Sequence, residues 1–238
     1  MKSTSDKVKI ILLGRYNPEE ILSGPEKVAK RIFSELQDKT EAVFIEYFFD
    51  GSKYSFYKKL FGKEQITSNS PGKILRLGIF RIILYIIKCK PKLIHVLTFE
   101  RFVLIVFFLR KFIRYKISYT VHGIIQFENS NFKKDIGIPL KIKDGIVESF
   151  LIKYSNRLFF LSEQSVKMAR KYYKITNEKI IFINNGVDEI FQEVFLKREY
   201  KEKSKLNVVI VADSTRAEKG LDFFTIQFNL LKMILFLV

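Results

Sequence analysis

The chain reads as an α/β protein with a largely parallel sheet flanked by helices. Short apolar runs alternate with segments of helical periodicity, the pattern of serial βα units. Hydrophobic residues make up 47% of the 238 positions, enough for a sizeable core in one large or two small domains. A mean hydropathy of +0.04 argues against a disordered chain.

The first strand is expected at Val8–Leu13. This segment is too short for a secretory signal, contains Lys9, and no small-residue cleavage site follows it. A helix begins near Gly24, where Val28, Ile32, Phe33 and Leu36 form an apolar stripe and Pro25 suits the first turn. Ala42–Phe48 is the second strand. Residues 50–72 read as a polar and aromatic loop punctuated by the Ser-Asn-Ser-Pro-Gly of 68–72. A helix is expected from Lys73 to Lys88, stopped by Pro91, then a strand at Leu93–Val96 and a helix over Glu100–Arg114. Ile117–Val121 is the next strand. Residues 126–139 read as a loop, with Asn129, Ser130 and Asn131 clustered. Helices at Lys143–Tyr154 and Glu163–Tyr173 bracket a strand at Arg157–Leu161, and Ile180–Ile183 is another strand. The charged stretch 197–205 is a linker that divides 1–196 from 206–238. Beyond it, a strand at Val208–Val211 and an apolar helical tail broken by Asp222, Gln227, Asn229 and Lys232 make one βα unit of an incomplete second domain. The most apolar segments, 77–87 and 102–109, fall short of the roughly 20 residues that cross a bilayer.

Lys+Arg number 42 against 25 Asp+Glu, a net charge of +17. That sign favours phosphate-bearing small molecules, nucleic acid or anionic lipid, unless it reflects composition alone. No zinc-ligand spacing, RNA-binding signature or helix-turn-helix accompanies it, so a nucleic-acid-binding protein is argued from charge only and no specific nucleic acid is expected. Cys89 is the single cysteine, which leaves no disulfide within these residues and no cysteine-based metal site, and fits a reducing cytoplasm.

Several positions have the chemistry of a site. Ser23-Gly24-Pro25-Glu26 joins the first strand to the first helix; a glycine there admits a ligand to free helix N–H groups, although the segment is neither a dinucleotide fingerprint nor a Walker loop and also reads as an ordinary helix start. The only two histidines, His95 and His122, both lie at strand ends, where open α/β sheets bind ligands. His95 reads equally as a structural histidine. His122, within Thr120-Val121-His122-Gly123, is the sharper candidate for hydrogen bonding or proton transfer. Ser162 reads as a helix N-cap. Asn185-Gly186-Val187-Asp188 is a turn, and Lys219-Gly220 follows the Val208–Val211 strand by a loop, where a lysine pairs with a diphosphate or is simply solvated.

In that order, these elements resemble a glycosyltransferase of the family 4 type with the GT-B fold. The resemblance implies a Rossmann-like, acceptor-side N-terminal domain. It implies transfer of a sugar, with retention, from a nucleotide-sugar to a cell-envelope glycan or lipid-linked acceptor, without a metal or a cofactor. It places His122 at the sugar and acceptor site as the catalytic candidate, with Ser23, Gly24, His95, Gly123 and Asn185 as substrate-binding candidates. Lys219, with Arg216 nearby, falls to the donor phosphates. The family's usual glycine and arginine in that loop are replaced by Asp213 and Ser214. The family's pair of glutamates that holds the donor has no counterpart after Gly220, where the only acid is Asp222. The expectation is therefore a truncated acceptor-side half that is weak or inactive alone; the alternative is a non-catalytic half that needs a partner chain to complete the donor domain. It would act in the cytoplasm, peripherally on the inner face of an anionic membrane.

Overall fold

In the computed structural model the described residues are 9–16, 24–37, 39–48, 54–66, 72–131 and 137–183. The chain forms two compact units. One comprises 1–127 and 136–185; the other comprises 128–135 and 186–238, of which only 128–131 are described. The expected linker at 197–205, the Val208–Val211 strand and the helical tail lie outside the described residues.

Among the described residues, the first unit is built on an eight-stranded sheet. Its strands are β1 (Lys9–Leu13), β2 (Glu41–Tyr47), β3 (Lys63–Gln65), β4 (Lys73–Leu77), β5 (Leu93–Val96), β6 (Lys116–Val121), β7 (Arg157–Phe160) and β8 (Ile180–Phe182). The spatial order is β3-β4-β2-β1-β5-β6-β7-β8, and every pairing is parallel except β3 with β4. The sheet is Rossmann-like, as expected.

Strand alternation sends neighbouring side chains to opposite faces. Ile11 and Leu13 of β1 join one core with Ile94, Val96, Ile117 and Leu158, while Ile10 and Leu12 join a second with Phe44 and Ile74. The second core is closed by α1 (Gly24–Gln37), which buries Ala29 and Phe33. Phe33, Phe44 and Tyr16 meet edge-on, with ring centroids 5.3 to 6.3 Å apart. The first core is closed by α3 (Ile79–Cys89), α4 (Leu104–Leu109), α6 (Ile138–Tyr154) and α7 (Glu163–Tyr172). Ser162 caps α7 as expected, its hydroxyl accepting the Ser165 N–H at 3.2 Å.

Three stretches depart from the expected reading. Lys73–Leu77 is strand β4, and the helix begins only at Ile79. The mostly apolar run from Leu75 to Ile87, interrupted only by Arg76 and Arg81, conceals the break, which occurs at Gly78. The Gly78 N–H bonds to the Gly62 carbonyl at 2.9 Å, and a Cβ at Gly78 would lie 2.6 to 2.7 Å from the Leu60 backbone. The presumed loop 50–72 contains α2 (Phe56–Phe61), capped by Ser55, and the antiparallel β3. The presumed loop 126–139 contains α5 (Ile125–Asn131) and the start of α6. The end of α3 is set by Lys90, which adopts the left-handed conformation at φ 44° just before Pro91.

Candidate functional site

Strand order reverses between β1 and β5: the chain leaves β1 toward β2 and β4, then returns to β1's other side. At such a switch point the connections diverge and leave a crevice at the carboxyl ends of the strands. Gly14 to Tyr16 follow β1, Leu97 to Glu100 follow β5, and His122 and Gly123 follow β6, so these segments share one edge of the sheet. Gly24, the first residue of α1, is exposed, with open space where a Cβ would stand.

Backbone bonds fix the floor. Leu97 N–H donates to the Leu13 carbonyl at 2.7 Å, and Gly14 N–H to the Ile45 carbonyl at 3.2 Å. A Cβ on Gly14 would lie 3.1 Å from that of Leu97 and 3.4 Å from the Thr98 hydroxyl, so glycine permits the close approach of the two strand ends. Among the described residues, the buried Thr98 hydroxyl has no hydrogen-bond partner. Arg15 donates Nε to Glu100 at 2.6 Å and so bridges the ends of β1 and β5.

The loop after β1 is held from the side. Glu46 is buried and accepts the Tyr16 N–H at 3.0 Å through one oxygen, and Arg76 Nε and Nη2 at 2.9 and 2.8 Å through the other. Burial alone would lower the Arg76 pKa, but Glu46, joined by Tyr54 and Glu64, outweighs it and the guanidinium is held more firmly charged than usual. The pair is shielded and closely hydrogen-bonded, as a buried charge requires.

His122 is half-buried, with Nε2 at 2.9 Å from the Leu97 carbonyl. A carbonyl only accepts, so Nε2 carries the proton and the neutral ring presents Nδ1 as an acceptor. Burial pushes the imidazole pKa below its ordinary value, against the opposing pull of the Leu97 bond, so the ring is neutral at pH 7. The available role is thus to accept a proton or a hydroxyl hydrogen bond; donating from Nε2 would break the bond to Leu97.

His95 lies beneath. Its Nδ1 is 2.6 Å from the Ser118 hydroxyl, its Nε2 is 3.0 Å from the Thr120 hydroxyl, and the Phe159 ring meets it edge-on at 5.2 Å. With both nitrogens engaged and the ring 7% exposed, its geometry is that of the structural role the sequence leaves open. Burial, and secondarily His122, pushes its pKa down to about 4. An unfolded chain takes up that proton near the ordinary value of 6.5. Between these values the unfolded state binds more protons, so stability is full above pH 6.5 and is lost as pH falls toward 4, by about 3 kcal/mol. Urea melts of the wild type and His95→Gln across that window test this: the variant's stability should change much less with pH.

The turn carrying His122 and Gly123 is anchored by Glu148 of α6, a residue that sequence reading missed. Glu148 is fully buried; its oxygens accept the N–H groups of Ile125 at 2.7 Å and Gln126 at 2.9 Å, and the Tyr173 hydroxyl at 2.7 Å. A carboxylate at the start of α5 satisfies two free N–H groups and meets the positive end of the helix dipole. Burial and the Glu148 contact raise the Tyr173 pKa, which keeps the phenol a donor. A glutamate one turn after Asp144, in a helix that carries apolar residues on both its faces, gives no sequence signal of this role.

Of the other sequence candidates, Ser23, Asn185, Arg216 and Lys219 lie outside the described residues. Among the described residues, no group of His, Cys, Asp or Glu side chains is placed to hold a metal ion.

Comparison with solved structures finds a sucrose-phosphate synthase from Thermosynechococcus elongatus (12% identity, 79% of this chain and 99% of that chain, TM-score 0.48). It also finds the UDP-GlcNAc 2-epimerase of Methanocaldococcus jannaschii (18% identity, 75% of this chain and 45% of that chain, TM-score 0.44). A third is the catalytic domain of starch synthase IV from Arabidopsis thaliana, bound to ADP and acarbose (12% identity, 77% and 52%, TM-score 0.46). This chain thus spans about half the length of the latter two. Comparison with curated proteins finds no match. The family model described as Glycosyltransferase Family 4 matches residues 23–190, which include α1, the His122 turn and the Glu148 anchor, and on that match the chain belongs to glycosyltransferase family 4.

Proposed function

We propose that this chain supplies the acceptor-side domain of a glycosyltransferase that moves a sugar from a nucleotide-sugar to a cell-envelope glycan or lipid-linked acceptor. The observation that carries the reading is a neutral His122 with an available Nδ1 acceptor at the switch-point edge of a family 4 domain. In this reading Nδ1 accepts a hydrogen bond from a sugar or acceptor hydroxyl, or the proton released during transfer. His95 positions the β5 and β6 ends, Gly24 and Gly123 keep backbone accessible, and Ser23 and Asn185 complete the sugar contacts.

The test uses radiolabelled nucleotide-sugars with envelope glycan and membrane-lipid extracts, with and without lysate of the source cells to supply any partner chain. Label incorporation above that of the His122→Ala variant supports the reading; equal incorporation by the two overturns it. The donor phosphates are assigned to Lys219, with Arg216 beside it. Lys219→Ala should raise the KM for the nucleotide-sugar about tenfold, the scale of one charge-assisted contact, with a smaller change in kcat. An unchanged KM removes Lys219 from the donor site.

A further inference from the structure

The helices that close the first core carry a second feature, independent of sugar transfer. α3, α4 and α6 lie side by side on one face of the sheet, their inner faces contributing Ile82, Ile86, Val106, Leu109, Val147 and Leu151 to that core. Their outer faces are apolar as well. Leu84 is 57% exposed, Phe108 59%, Ile142 57% and Ile146 51%, and Phe112, in the turn after α4, is 73% exposed. Single exposed hydrophobics are ordinary, but this many on adjacent helices mark a surface made to be covered.

The charges on those helices have one sign. Arg81, Lys88, Lys111, Arg114, Lys143 and Lys153 are exposed among the apolar side chains. From 79 to 89, 101 to 114 and 138 to 154 the only acids are Asp144 and Glu148, and both are buried. Beside α3 a cavity of about 480 Å³ is lined by Lys63, Lys73, Arg81 and Lys88 together with Leu75, Leu77 and Tyr85, and none of its described lining residues is acidic. A second copy of this chain would bring the same cations into contact, against its net charge of +17. Among the described residues no helix is long and apolar enough to cross a membrane.

We propose that the outer face of α3, α4 and α6 docks in the interfacial plane of an anionic lipid bilayer. Leu84, Phe108, Phe112, Ile142 and Ile146 enter the boundary between headgroups and acyl chains. The lysine and arginine side chains extend along the apolar surface and place their charges among the lipid phosphates. The basic cavity beside α3 accepts a lipid phosphate over an apolar floor.

Co-flotation of the purified chain with phosphatidylcholine vesicles, with and without phosphatidylglycerol, tests this. Binding should be at least tenfold stronger with the anionic lipid. The triple variant Leu84→Asp, Phe112→Asp, Ile146→Asp should lose at least tenfold, as should Lys88→Glu, Lys143→Glu, Lys153→Glu. All six positions are exposed, and unchanged thermal melts verify folding. Absence of binding to anionic vesicles overturns the proposal. So does binding that the aspartate variant leaves intact, which would be plain Coulomb attraction. A dimer in sedimentation velocity that the aspartate variant disperses would assign the face to a second copy and likewise overturn it.

Discussion

Replacing Glu148 with alanine should cost about 3 kcal/mol or more of folding stability, because hydrogen bonds to a buried charge contribute about 1.5–3 kcal/mol each and their donors are left unpaired. The Ile125 and Gln126 N–H groups lose their common acceptor, and the Tyr173 hydroxyl loses its partner. The first turn of α5 loses its anchor just beyond His122 and Gly123, so transfer should fall although the histidine is intact. Glu148→Gln offers one acceptor oxygen in place of two and should recover part of both losses. Tyr173→Phe, which removes one donor and leaves the carboxylate on the backbone, should cost only about 1 kcal/mol. Urea unfolding and kcat measured on the same proteins check this. An alanine variant as stable as the wild type would show that the carboxylate does not hold the turn.

His122→Ala should lower kcat by about 10²- to 10⁴-fold, the usual contribution of a positioned acid–base group. KM should change little, because the proposed site assigns the nucleotide to Lys219 and not to His122. The pH dependence tests the proposed mechanism: an imidazole whose pKa is lowered by burial is already neutral, and able to accept a proton, at neutral pH. Activity should therefore be flat through neutrality and decline on acidification, as Nδ1 takes up a proton. His122→Gln should keep the bond to the Leu97 carbonyl through its amide N–H and preserve stability, yet it should not restore the acid limb. A kcat within threefold of the wild type in both variants would assign His122 to the fold alone.

Much of the sheet was legible because its strands are buried on both faces. Such strands read as short apolar runs between turn residues, and Leu93–Val96, Ile117–Val121 and Arg157–Phe160 were found in place. β4 was not, because its Lys-Ile-Leu-Arg-Leu merges with the apolar face of α3 and only the close packing of Gly78 against Leu60 separates them. α2 and α5 were missed because helices of six and seven residues carry too few turns for their period to show. Among candidate site residues, His122 stood out as a rare residue type at a strand end. Glu148, Glu46 and Arg15 did not, since a glutamate or arginine looks the same in sequence whether it is solvated or buried against a partner.

The sequence by itself determined the α/β class, the parallel sheet and the His122-Gly123 turn at its edge. These follow from hydrophobic period and turn chemistry, which are local in the chain. Tertiary structure decided the rest. It set which ring nitrogen of His122 is available, why His95 is closed to solvent, and which carboxylates anchor the crevice. It also showed that one helical layer turns an apolar, wholly basic face outward. Each of these depends on groups tens of residues apart meeting in a desolvated space, where a partner's distance, not its place in the sequence, sets the energy.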